Sequence, residues 1–239
     1  MKPDHIIIDW TQLPTYNTIM ALLVGVSLIS LAKIGRELAN KKEPNPKGWS
    51  LNFGILGIIL FLTGLHMTLT WPLAHGFPFD NIIFGETTLA FGTLDLGLAV
   101  YFWRNSNEVL NTKEPLPIIS SHLKALNILF YALALMLAAL FFAGVEFQFF
   151  AAPKEEPISG YFADMPSLEA WGLSSVFLGI GICSALTANF FNQASKLNYT
   201  ISLLDKLCYA GFMITGWFML LFGAMNYYTH IGLILNTMK

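Results

Sequence analysis

The sequence predicts an all-α membrane protein, a bundle of six transmembrane helices forming a single integral membrane domain over residues 1–239. Three observations predict it. Of 239 residues, 12% are charged and 55% hydrophobic, whereas a soluble domain carries about 25% charge, so this chain has too little charge to cover itself in water. The mean hydropathy is +0.58, and the apolar residues gather into runs of the ~20 residues that a helix needs to cross a hydrocarbon core. Lysine and arginine are sorted between alternate connections, as in multi-pass proteins.

The first apolar run, residues 16–34, is expected to be a retained span and not a cleaved leader. Asp4 and Asp9 precede it and the positive charge follows it, the reverse of a signal peptide. The second span is 51–71, closed by Pro72, because proline disfavours helical geometry in the residue before it. The third is 82–103 and the fourth 125–150, with Pro153 just beyond. The fifth is 170–190 and the sixth 203–228.

Lys33, Arg36, Lys41, Lys42, Lys47, Arg104, Lys113, Lys124, Lys196 and Lys206 lie in or beside the connections 1–2, 3–4 and 5–6. Only Lys2, Lys154 and Lys239 lie on the other side. Those connections are therefore expected in the cytoplasm, with both termini outside. Trp10, Trp71 and Trp171 then fall at the outer interface, and Trp49 and Trp103 at the inner one, as an aromatic belt.

A weak internal repeat accompanies the spans. Gly64-Leu65-His66, Gly144-Val145-Glu146 and Gly223-Ala224-Met225 each sit near the outer end of an even-numbered span, and Gly25, Gly92 and Gly179 inside odd-numbered ones. Three helical hairpins in the same orientation produce this pattern. Small residues that permit close helix packing produce it equally well.

Several function classes find no support. The net charge of −2 gives no basic field for nucleic acid, and no Walker or GxGxxG motif occurs. Cys183 and Cys208 lie in apolar runs without a CxxC spacing and read as small buried hydrophobes. No cofactor is indicated by any motif.

The candidate site comes from ionisable residues inside the spans, where each costs about 2.5–3.5 kcal/mol and usually faces a partner. His66 and Glu86 sit about one turn inside the outer ends of spans 2 and 3, Glu146 about one turn before the end of span 4, and His230 at the outer end of span 6. The short connection makes spans 2 and 3 antiparallel neighbours, so His66 and Glu86 can meet. Two readings stay open: a register-fixing buried pair, or a ligand-binding site in which His66, Glu86 and His230 hold a metal. Asp95, near the middle of span 3, has no evident partner. The outer-loop acids Glu155, Glu156 and Asp164 are expected to be solvated.

The stretch Gly64-Leu65-His66-Met67-Thr68-Leu69-Thr70-Trp71-Pro72-Leu73, followed by Asn81-Ile82-Ile83-Phe84-Gly85-Glu86, resembles the TWPL…NIxFGE junction of a prokaryotic multi-pass membrane family described only as a domain of unknown function. The resemblance extends over most of the chain, including its Gly-Ala-Met-Asn-Tyr-Tyr-Thr-His ending. It implies the six-span topology in a prokaryotic inner membrane, draws Trp71 into the ligand-binding set with His66, Glu86, Glu146 and His230, and implies no activity.

The favoured expectation is an outward-facing polar pocket that binds or transports a small solute or ion. One alternative is a metal- or haem-binding redox protein, with His66 and His230 as haem ligands. Another is a non-catalytic subunit that meets a partner membrane protein or a second copy of itself.

Overall fold

The structure, a computed structural model, describes residues 6–11, 13–40, 44–112, 114–196 and 199–238. Lys2, Asp4, His5, Lys41, Lys42, Lys113 and Lys239 lie outside the described residues. Six helices are long and apolar enough to cross a membrane: α1 (Asn17–Ala39), α2 (Pro46–Thr70), α3 (Pro78–Arg104), α4 (Pro115–Phe147), α5 (Pro166–Ala194) and α6 (Leu203–Thr237). No strand occurs among the described residues, and a short helix, Ser106–Asn111, joins α3 to α4. The expected six-span helical membrane protein is what the chain forms. One end of the bundle carries Ile8 and Thr237 and is called the terminal face. The other carries Arg36, Arg104 and Lys206 and is called the basic face.

Most helices overrun the expected spans, because local capping sets where they end and hydropathy does not. Asn45 accepts a hydrogen bond from the Gly48 amide and Pro46 takes the first helical position, so α2 starts well before its apolar run. Ser202 and Asp205 form a reciprocal capping box at the start of α6. That helix has 35 residues, about 52 Å, and its ends stand clear of a hydrocarbon core about 30 Å thick. α2 stops at Thr70 because Trp71, held out of the right-handed helical region by Pro72, takes left-handed geometry with φ 48°.

The bundle is assembled from three antiparallel pairs, α2–α3, α4–α5 and α6–α1. In each, a glycine lets one backbone approach the other. A Cβ on Gly64 would lie 2.4 Å from Leu89 N, one on Gly92 2.4 Å from Phe61 N, and one on Gly57 2.8 Å from Leu96 N. The α6–α1 pair repeats the same steps along the helices. Gly223 would meet Leu22 N at 2.3 Å, Gly25 Leu220 N at 2.2 Å, and Gly216 Ile29 N at 3.0 Å. In α4–α5, Gly144 abuts Ser174 and Gly181 abuts Leu137.

This regularity refines the repeat seen in the sequence. The repeated unit is an even-numbered helix with the odd-numbered one after it, closed on the terminal face. Gly179 does not match Gly25 and Gly92; it faces Thr215 of α6, and Phe177 stands at the matching position. The third unit is closed across the chain. The Ile8 amide donates to the Thr237 carbonyl at 3.0 Å, and the Trp10 indole donates to Thr237 Oγ1 at 2.9 Å.

A side chain at Gly223 forces the α6 and α1 backbones apart, so Gly223→Val is expected to lower stability by about 3 kcal/mol or more, the upper end for overpacking. Gly172 has nothing within 4 Å of its Cβ position, and Gly172→Ala is expected to be neutral or to gain up to about 1 kcal/mol from helix propensity. Thermal unfolding of both variants in mild detergent checks this.

Candidate functional site

The TWPL…NIxFGE junction folds as a joint. Leu73 is buried and its amide donates to Asn81 Oδ1, while the Asn81 amide group donates back to the Pro78 carbonyl. Residues Asn81–Glu86 form a π-helical segment, a local widening common where a helix does more than span. Gly85 packs on Met67 and Thr68. Trp71, a predicted ligand-binding residue, serves as the left-handed stop of α2 and is 43% exposed.

That packing decides where the predicted pair goes. Met67 and Gly85 hold the α2–α3 contact, and each helical residue turns about 100° from its neighbour. His66 and Glu86, one step away on their helices, face outward and are exposed, as is Glu146. His66 Nδ1 lies 2.9 Å from the Tyr16 hydroxyl. The expected meeting of His66 with Glu86 is not made. Among the described residues, no three His, Cys, Asp or Glu side chains form a group able to hold a metal, so His66, Glu86 and His230 do not assemble as one.

His230 does form a polar cluster, with a partner the sequence did not indicate. Its Nδ1 is 3.3 Å from a Glu156 carboxylate oxygen, and the two side chains are 18% and 10% exposed. Its Nε2 is 3.3 Å from the Asn17 amide nitrogen, so a neutral imidazole accepts from Asn17 and donates to Glu156. Asp80 lies within electrostatic range of the same ring. The outer loop acids therefore differ from expectation. Glu156 is half-buried against His230, and the Glu155 carbonyl and carboxylate receive Asn236 and the Ile6 amide. Asp164 is exposed and pairs with Lys154 at 2.9 Å.

The loop is pressed onto α6 by a tight turn. Ile158 has φ 67° and ψ −66°, and the Ser159 amide donates to the Pro157 carbonyl at 2.8 Å. This is the rare form of the γ-turn, strained for a β-branched residue. Pro157 rests on Gly232, where a Cβ would meet it at 2.2 Å.

Beneath this face lies a cavity of about 880 Å³ between α1, α3, α4, α5 and α6. Phe84 and Thr87 line one end, Arg36, Asn40, Asp205 and Lys206 the basic end, and leucine, isoleucine and phenylalanine half of the wall. α3 and α4 both line it; they meet at the basic end, where the Tyr101 hydroxyl is 2.9 Å from His122 Nδ1, and are not one of the three close-packed pairs. Asp95 is part of the wall and 0% exposed. Its Oδ1 accepts from Ser27 Oγ at 2.8 Å, and its Oδ2 has no partner among the described residues. Ser27, one small hydroxyl in an apolar run, carried no signal in the sequence that pointed to Asp95.

Six apolar helices, five of them around a cavity whose wall holds the buried carboxylates Asp95 and Asp205, define a multi-pass helical membrane protein. The chain belongs to the family described as "Protein of unknown function (DUF981)", which matches residues 14–232, in agreement with the resemblance carried by the α2–α3 junction. No curated protein and no solved structure matches it.

Removing the Glu156 carboxylate takes away the acceptor facing the half-buried His230 Nδ1–H, a loss of about 1–3 kcal/mol. Glu156→Ala is therefore expected to speed amide hydrogen exchange across residues 153–160 by tenfold or more, with the α2–α3 pair unchanged. Exchange mass spectrometry in nanodiscs reads both regions at once.

Proposed function

We propose that this protein binds a membrane-soluble amphiphile in its interior cavity, with Asp95 accepting a hydrogen bond from a hydroxyl or ammonium group of the ligand. The observation that carries this reading is the unpartnered Asp95 Oδ2 in the wall of the cavity. A buried carboxylate oxygen without a donor costs more than the ~1–3 kcal/mol of a neutral group, and intramembrane acids usually have a partner. A ligand donor supplies one. A volume of about 880 Å³ is within the roughly 300–1,000 Å³ of small-molecule sites.

The expected outer pocket has a different place in this reading. His66, Trp71, Glu86, Glu146 and His230 are not in the cavity wall. They belong to the terminal face, where His230 and Glu156 hold the loop over the bundle. Transport is the extended form of the same proposal. The basic face then lies in the cytoplasm of a prokaryotic inner membrane, following the lysine and arginine distribution, and both termini lie outside.

Decylamine, decan-1-ol and decane at equal mole fraction in nanodiscs test this. Decylamine and decanol are expected to raise the unfolding temperature of the native chain by several degrees, and decane not to. Asp95→Asn is expected to weaken decylamine binding at least tenfold. Equal stabilisation of native and Asp95→Asn protein by all three contradicts the proposal.

A further inference from the structure

We infer that the cavity has a second, anion-binding end built from Arg36 and Lys206, and that its ligand is an anionic single-chain amphiphile of the bilayer. This rests on the cavity-binding reading and adds the charge and length of the ligand. Both cations line the basic end with Asn40 and the buried Asp205. The Arg36 guanidinium lies over the Tyr209 ring, 5.0 Å from its centroid, and Nη1 donates to the Tyr209 hydroxyl at 3.0 Å. α6 thus holds the Arg36 side chain of α1 at the mouth without neutralising it.

The two nearby carboxylates, Glu37 and the wall residue Asp205, are held by other partners. Glu37 Oε2 accepts from the Trp49 indole at 2.9 Å. Asp205 accepts from the Tyr199 hydroxyl and caps α6 through Ser202. Burial and this bond push the Tyr199 phenol up to about 12, so it stays a donor to Asp205 at neutral pH. Among the described residues no ion pair joins Arg36 or Lys206 to an acid. A guanidinium has five donors in a planar fork suited to a carboxylate or phosphate, and only one is spent on Tyr209.

The spacing sets the ligand's length. Ser27, which holds Asp95, and Arg36 are nine residues apart on α1, about 13 Å along the helix. A chain of ten to twelve carbons, on the order of 13 Å when extended, bridges an anionic head at Arg36 and a donor at Asp95 across an apolar wall complementary to it. α3 and α4 meet at the basic end through Tyr101 and His122 but are not one of the three close-packed pairs, and the looser seam between them gives such a molecule a lateral way in from the bilayer.

The test uses 12-hydroxydodecanoate, dodecanoate and dodecan-1-ol with the full chain in nanodiscs of zwitterionic lipid, read by native mass spectrometry. Both acids are expected to bind at least tenfold tighter than dodecanol. Arg36→Gln/Lys206→Gln is expected to reduce them to the level of dodecanol while leaving dodecanol unchanged. Lys33→Gln/Lys196→Gln, which removes the same charge from the same face outside the cavity, is expected to change nothing. Dodecanol bound as tightly as the acids, or equal losses in the two double variants, overturns the anion-binding end and leaves the cavity reading standing. No binding of any probe overturns both.

Discussion

The close approach of paired backbones at glycine is the constraint on which the rest of this structure depends. Lipid tails are as apolar as leucine, so helices in a membrane gain little from hiding apolar faces and associate by tight packing instead. Here the glycines of α2–α3 and α6–α1 meet backbone nitrogens at equivalent steps, and α4–α5 repeats the arrangement with Gly144 and Gly181. The result is three stiff pairs. Contact between pairs is thinner, and α3 meets α4 at the basic end through Tyr101 and His122. The cavity is the space that three close-packed pairs leave where they fail to close.

Polar chemistry collects at the boundaries between these pairs. The Ser27–Asp95 bond links α1 to α3 and so ties one pair to another at the depth of the cavity. On the terminal face, His230 of α6 meets Glu156 of the α4–α5 loop and Asn17 of α1, joining two pairs. On the basic face, Arg36 reaches Tyr209 within the α6–α1 pair, leaving its charge at the cavity mouth. The Ser27–Asp95 and His230–Glu156 contacts cross from one pair to another, where glycine packing is not available.

The six spans were legible because hydropathy reports the lipid-facing surface directly. The ends were less so. α6 continues past residue 228 to Thr237, and α4 starts at Pro115, because capping and proline placement set helix ends without regard to the apolar run. The glycines stood out in sequence, but their partners did not, since Gly223 contacts Leu22 about two hundred residues away. His66 and Glu86 were adjacent in topology yet face outward, because the residues beside them, Met67 and Gly85, occupy the contact. Glu156 looked like a loop acid, and only the fold of residues 148–165 over α6 brings it to His230. Asp95 was recognisable as anomalous, and its environment was not.

An amphiphile bound in the cavity beside Asp95 should travel with the protein out of the membrane. Native mass spectrometry of the protein released from its own membrane, with no ligand added, tests it most directly. The account predicts one adduct of discrete small-molecule mass per chain, retained by Lys33→Gln/Lys196→Gln and lost from Asp95→Asn and from Arg36→Gln/Lys206→Gln. A bare protein mass, or a spread of ordinary membrane-lipid adducts equal in all variants, contradicts it.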